Sequence, residues 1–202
     1  MMPIKTDNGP EDVILPVFWT LPSDRDLSAL KGQMKGRKFD ISCVAAVAKR
    51  CSHGFPQVVV TKPLMADGTP FPTLFWLTCP HLDRICGVLE SDRKITEVED
   101  IFASMPDKVK KMHENYAALR VALAAKNNIR ISGLPEGKRI RIEKSGVGGI
   151  DIAAAPNAVK CLHLQLAAFI GMGSHPAKEW LRQNITQPEC SCALCKRAVS
   201  AI

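Results

Sequence analysis

Aromatic residues are scarce in this 202-residue chain: seven Phe, three Trp and a single Tyr make up 5% of it. So few rings argue against an extended stacking platform for single-stranded nucleic acid. No run of about 18 apolar residues occurs, so no membrane-spanning helix and no membrane partner are expected. The opening stretch, Met1-Met2-Pro3-Ile4-Lys5-Thr6-Asp7 with Glu11 and Asp12 behind it, lacks a basic start followed by an apolar segment. A secretory leader is therefore not expected, and the cytoplasm is the expected compartment. A Ser–His–Asp order, a Gly-x-Ser-x-Gly elbow and carboxylate pairs at helical chelate spacing near the cysteines are missing too. No internal repeat or low-complexity segment interrupts the chain.

Cysteine, by contrast, is abundant, with eight in all. Cys51, Cys79 and Cys161 stand at punctuated positions, in Arg50-Cys51, Thr78-Cys79-Pro80 and Lys160-Cys161-Leu162-His163. Cys190, Cys192 and Cys195 crowd the tail. In a reducing compartment, thiols in such numbers are more often metal ligands or reactive groups than disulfides. Cys43 and Cys86 read as core residues.

Residues 1–22 carry Pro3, Pro10, Pro16 and Pro22 without a clear period and read as an extended arm, with Val17-Phe18-Trp19 docked on the domain. A single domain is expected over 23–187 and a Cys-rich tail over 188–202. Ser23 with Asp26 resembles an N-cap with a first-turn acid, opening a helix to about Met34. Residues 43–47, 58–61 and 73–77 read as strands, the last two paired antiparallel across the Asp67-Gly68-Thr69-Pro70 turn. Pro80 suits the first turn of a helix that runs to about Glu90. The clearest helix covers 105–126, where Val109, Met112, Tyr116, Leu119 and Leu123 form one apolar stripe. Ile140-Arg141-Ile142 alternates like a short strand. Gly146-Val147-Gly148-Gly149 is a glycine loop, a helix runs from near Pro156 to about Ile170, and another spans 175–183. The fold class this predicts is α+β: a small antiparallel sheet covered by helices, in a single domain with an extended N-terminal arm and a Cys-rich C-terminal tail.

Cys79 falls at a helix start, where free N–H groups and the helix dipole favour a thiolate. Cys51 ends a strand, and strand pairing brings it to the same end of the sheet as Cys79. Cys161, read in the second turn of its helix, is a third thiol near a helix N-terminus. The three are expected to converge, with a fourth ligand from Cys190, Cys192 or Cys195. Four thiolates suit an iron–sulfur cluster or a zinc ion, and the spacing does not choose between them. Residues i and i+2 of a helix point about 200° apart, so Cys161 and His163 are expected on opposite flanks. His163 is then a hydrogen-bond donor to the site, an anion contact or a packed surface histidine. His53 either chelates with Cys51 or is solvated in its turn, and His81 is expected to be exposed.

The net charge is +7, and the segment 126–144 holds Lys126, Arg130, Lys138, Arg139, Arg141 and Lys144 against Glu136 and Glu143. Gly148 and Gly149, with Lys160, form a candidate anion site, because glycines let backbone N–H groups approach a phosphate. The loop is neither a P-loop nor a dinucleotide fingerprint. A phosphate-containing ligand or RNA is the partner these features suggest.

Three blocks carry a resemblance: Val47-Ala48-Lys49-Arg50-Cys51 with Gly54-Phe55-Pro56-Gln57-Val58, then Asp67 to Pro80, then Gly146 to Ile150 followed by Val159-Lys160-Cys161-Leu162-His163. Over roughly residues 24–185 the chain resembles the bacterial family called domain of unknown function 501. The resemblance implies a cytoplasmic bacterial protein in which these blocks matter, and it implies no reaction. One departure is His175 in Gly173-Ser174-His175-Pro176, where the family often places Asn before the Pro.

Three functions stand at this point. The first is a metal-binding protein using Cys51, Cys79, Cys161 and a tail cysteine. The second is a thiol enzyme with Cys161 or Cys79 as nucleophile and His163 or His53 as base. The third is a phosphate- or RNA-binding module using 126–144. Oligomeric state is not readable from the sequence, nor is whether the chain is an enzyme.

Overall fold

The computed structural model describes residues 13–191 and Cys195. Three antiparallel strands, β1 (Val44–Arg50), β2 (Pro56–Thr61) and β3 (Phe75–Leu77), form a sheet of order β1-β2-β3. The sheet's two faces follow from side-chain alternation. Val58, Val60, Phe75 and Leu77 enter the large core cluster, whereas Val59 joins Leu30, Val44 and Val47 on the other face, with Trp76 packed beside them. Central β2 is therefore buried along its whole length.

Seven α-helices cover this sheet among the described residues. The first, α1 (Asp24–Gln33), lies against the smaller face and opens on a capping box. There the Ser23 hydroxyl accepts the Asp26 N–H, while Asp26 accepts the Ser23 N–H at 2.8 Å. Then follow α2 (Pro80–Ser91), α3 (Ile95–Ser104), α4 (Pro106–Lys126), α5 (Glu136–Glu143), α6 (Leu162–Met172) and α7 (Lys178–Asn184). Helix α6 packs across all three strands and against α2. Among the described residues no helix is long and apolar enough to cross a membrane. The expected α+β single domain is thus the fold, and the expected helices at 23–34, 80–90 and 105–126 match α1, α2 and α4.

Two local expectations need correction, and one helix carries no signal in the sequence. Ile140-Arg141-Ile142 is helical, in α5, and the structural reason is its tether to α4. The Arg120 guanidinium holds the Ile142 carbonyl at 2.6 Å and turns Ile142 inward, while Ile140 stays 42% exposed. The helix expected from Pro156 starts only at Leu162. Lys160 takes a left-handed φ of 64° and Cys161 is extended at φ −163°, ψ 156°, so neither can continue a helix. Finally, α3 has only Val98 and Phe102 fully buried, too short a stripe to signal a helix from sequence. Of the arm's Val17-Phe18-Trp19, only Trp19 is docked. Its indole N–H donates to the Gly171 carbonyl at 2.9 Å and its ring meets Phe75 edge-on, while Val17 is 79% exposed.

The position where the resemblance expects Asn carries a buried neutral histidine. His175 donates from Nε2 to Gln165 Oε1 at 3.0 Å and accepts the Ala177 N–H on Nδ1. Burial, with His113 adding, pushes His175 down to about 3. An unfolded histidine titrates near 6.5, so this group's stabilising contribution is present above pH 6.5 and is lost as pH falls towards 3. His175→Asn places an amide oxygen where Nδ1 accepts from Ala177 and removes the titration. Urea unfolding between pH 6.5 and 4 is expected to show wild type losing about 1.4 kcal/mol per pH unit more than the variant. Parallel pH profiles would contradict this assignment.

Candidate functional site

Two separate groups of chemistry-bearing side chains flank α2. At its N-terminal end the β1–β2 turn, the start of α2 and the tail meet. Cys51 is held in that turn by its own N–H to the Phe55 carbonyl and by the Gly54 N–H on its carbonyl, both at 2.9 Å. Gly54 sits at φ 80°, a conformation that favours glycine. Cys79 is the N-cap residue of α2, and its N–H donates to the Gln57 carbonyl of β2, as does that of Thr78. The antiparallel pairing Arg50↔Pro56 and Val58↔Leu77 puts the two cysteines at one end of the sheet. Next to them the buried carboxylate of Asp26 takes a two-pronged pair from Arg50, at 2.9 and 2.6 Å, which ties α1 to the end of β1.

The tail is strapped over this end by four contacts. Gln57 donates to the Pro188 carbonyl at 2.8 Å, and the Ser52 N–H to Glu189 at 3.0 Å. His53 Nε2 meets the Cys190 carbonyl at 2.9 Å, and His81 Nε2 the Gln187 carbonyl at 2.8 Å. His81 is therefore buried, not exposed as its helix position implied. His53 spends Nε2 on the tail backbone and so is not a free turn histidine. The strap delivers Cys190, and Cys195 packs with Ala29, Phe55 and Cys51. Gln33 Nε2 reaches the Cys195 sulfur at 3.0 Å and the Pro56 carbonyl at 2.9 Å. Beside the strap an open cleft of about 780 Å³ is lined by His53, His81, Arg84 and Cys190.

Cys79 and Cys195 each feel the charge of the neighbouring thiols Cys51 and Cys190. Burial pushes Cys79 up, with smaller contributions from Cys190 and Cys51; the N–H groups of His81 and Leu82 at the start of α2 oppose the rise without reversing it. The helix start therefore does not by itself make Cys79 a thiolate, because burial wins. Burial also pushes Cys195 up to about 11, with Cys79, Cys51 and Cys190 adding to it and Gln33 opposing. Cys192 lies outside the described residues.

Cys161 belongs to the second group. Being the N-cap of α6 rather than part of its second turn, it is extended, and the opposite-flank geometry expected for Cys161 and His163 does not apply. A carboxylate oxygen of Glu90, the Cys161 sulfur and a His163 ring nitrogen all lie within 4.8 Å of one another. Among the described residues no other trio of His, Cys, Asp or Glu is as close. Glu90 Oε1 accepts the Leu162 N–H at 2.6 Å, capping α6, and meets His163 Nδ1 at 2.9 Å. His163 Nε2 faces the Asp83 carbonyl at 3.1 Å and its Oδ1 at 3.2 Å. The neighbouring Cys161 thiol, then Glu90 and Asp83, outweigh burial and push His163 up to about 9. With both ring nitrogens facing oxygen acceptors the imidazole carries two protons, so it does not serve Cys161 as a base. Cys43 and Cys86 are buried, and burial pushes them up to about 11 and about 12, as inert core thiols are.

The candidate anion site is closed from within. The Val147 N–H donates to His113 Nδ1 at 3.1 Å, Gly149 N–H to the Gly146 carbonyl, and the Gly148 N–H faces the Tyr116 hydroxyl. Lys160 Nζ donates to the Gly148 carbonyl at 2.8 Å, and the Cys161 N–H closes the left-handed turn at Lys160 on the Val159 carbonyl at 2.8 Å. The basic segment lies on and around α5, where Lys138 holds the Gly68 carbonyl and Arg139 pairs with Glu143. The adjoining cleft of about 800 Å³ mixes Lys110, Arg141 and Lys144 with Asp107 and Asp151.

Sequence reasoning missed Gln33, Asp83 and Glu90. The last two carried a signal: seven residues apart on α2, with Cys86 between them, they share the helix face turned to α6. Gln33 carried none, because only the tail's return makes it a neighbour of sulfur. No curated protein and no solved structure matches the chain. A family model described as "Protein of unknown function (DUF501)" matches residues 47–183, more than half of the chain; Cys51, Cys79, Glu90, Cys161 and His163 fall inside the match, and Cys190 and Cys195 outside it. The chain belongs to that family of unknown function.

Proposed function

We propose that the protein is a cytoplasmic metal-binding protein whose metal is held by Cys51, Cys79, Cys190 and Cys195, and that the metal is an iron–sulfur cluster. The observation that carries this reading is that four thiols from separate stretches of chain bear on one another at one end of the sheet. Packed together as thiolates they repel, and a cation that displaces their protons relieves that repulsion.

A cluster suits the pocket better than one zinc ion. Zn–S bonds of about 2.3 Å place tetrahedral thiolates about 3.8 Å apart. No three of these four sulfurs fall within 4.8 Å of one another among the described residues. A cluster spreads its thiolates over separate irons and so accepts a wider set. Gln33, donating to the Cys195 sulfur, supplies the kind of N–H···S contact that tunes cluster potential.

Single substitutions test the ligand set. Cys51→Ser, Cys79→Ser, Cys190→Ser and Cys195→Ser are each expected to remove most of the bound iron, with the circular dichroism of the fold retained. Cys86→Ala is expected to leave iron content unchanged. Equal iron in Cys79→Ser and wild type would overturn the assignment.

A further inference from the structure

We propose that Glu90, Cys161 and His163 form a second, independent metal site that takes a single divalent cation of borderline softness, of the Zn²⁺ class, through one carboxylate oxygen, one thiolate and one imidazole nitrogen. The three ligand atoms already lie within 4.8 Å of one another, so a small closing of the side chains reaches the edges of about 3.3–3.8 Å that a tetrahedral shell needs. The donor set of sulfur, nitrogen and oxygen matches zinc rather than the harder magnesium or calcium.

The surroundings are built for a ligating histidine. His163 Nε2 is directed at the Asp83 carbonyl and carboxylate and keeps its proton, while the incoming cation displaces to solvent the Nδ1 proton that otherwise meets Glu90. A carbonyl or carboxylate on the far nitrogen is the outer support that fixes the tautomer of a metal-bound imidazole. Asp83 is itself gripped by Arg37. Glu90 is anchored by the Leu162 N–H, and Cys161 is set by the extended N-cap that breaks the chain before α6. Each ligand thus comes from a helix terminus that tertiary contacts hold in place.

The protein supplies three ligands, and the site is not sealed: the side chains of His163 and Glu90 are 28% and 24% exposed. Water fills the fourth position, the arrangement of zinc sites that act on substrates rather than of closed structural ones. The group sits along α2 from Cys79, whose helix of 12 residues spans about 18 Å at 1.5 Å per residue. The two sites share that helix but no ligand.

The test uses the full chain carrying Cys79→Ser, stripped of metal and titrated anaerobically with Co²⁺ as a spectroscopic stand-in for Zn²⁺. This background separates the outcome from the fate of the four-thiol pocket. One equivalent of Co²⁺ is expected to bind with a thiolate-to-cobalt charge-transfer band, and Zn²⁺ is expected to bleach it. Adding Cys161→Ser is expected to abolish the band. Adding Asp83→Asn, which touches no metal, is expected to weaken binding by about 10–100-fold with the band position kept. Absence of the band in the Cys79→Ser protein, or its survival in Cys79→Ser/Cys161→Ser, would overturn the proposal. Titration of the otherwise wild-type chain with and without Cys161→Ser gives the same comparison if the first background folds poorly: the band intensity drops by one cobalt's worth, or the site does not exist.

Discussion

Arg120→Met is expected to destabilise the protein by about 3 kcal/mol or more, read as a fall in the urea midpoint at unchanged slope. Arg120 is fully buried in α4, and its guanidinium donates to the carbonyls of Ile142, Pro72 and Ser145. Those three acceptors come from α5, the loop before β3 and the turn after α5. One side chain therefore closes the backbone accounts of two segments that have no ladder partners of their own. Burial pushes Arg120 down to about 10, still charged at neutral pH, and the Tyr116 ring lies 5.6 Å from the guanidinium carbon. Removing the charge relieves a desolvation cost, but it strands the buried carbonyls of Ile142 and Ser145 at about 1–3 kcal/mol each and takes the donor from the half-buried Pro72 carbonyl. Arg120→Lys is expected to recover little, because one ammonium cannot serve three diverging acceptors. A loss below 1 kcal/mol in Arg120→Met would mean that those carbonyls find other donors.

Gly171→Ala sets two effects of opposite sign against each other, and the destabilising one is expected to win. Intrinsic propensity favours Ala over Gly inside a helix by about 1 kcal/mol. A Cβ on Gly171, however, would lie 2.2 Å from the Phe75 ring. Phe75 is 1% exposed and is held edge-on by Trp19 on one side and Tyr116 on the other. The ring has nowhere to go, so α6 must lift from the sheet, which also stretches the Trp19 bond to the Gly171 carbonyl. Overpacking of this kind costs about 1–3 kcal/mol in ordinary cores, and the rigid aromatic neighbours place it at the upper end. Thermal unfolding is expected to show a drop of several degrees, partly restored by adding Phe75→Leu. A rise in melting temperature would show that helix propensity outweighs the contact.

Both variants bear on what the sequence makes legible. The strands, α1, α2 and α4 announce themselves through alternation, a capping box, Pro at a first turn and a long apolar stripe. These are local signals. Placing Cys51 and Cys79 at one end of the sheet needed only strand pairing, which local signals support. Cys161 was misplaced because the start of α6 is set by tertiary contacts. Lys160, in its left-handed turn, reaches back to the Gly148 carbonyl, and the cap on α6 comes from Glu90, far away in sequence. The same shift of helix start turned Cys161 and His163 from opposite flanks into neighbours. The glycine loop looked open to anions because its partners, His113 and Tyr116, sit more than thirty residues earlier. His81 and His53 read as surface residues because the strap that covers them arrives from the tail.

The most direct test of the account is the iron and acid-labile sulfide content per chain of protein purified without oxygen, with its visible spectrum. The four-thiol pocket predicts iron and sulfide in near-equal amounts, a broad absorption that bleaches on reduction, and loss of both in Cys79→Ser. Protein free of iron and sulfide, in which Cys51, Cys79, Cys190 and Cys195 all react freely with an alkylating agent, would contradict it.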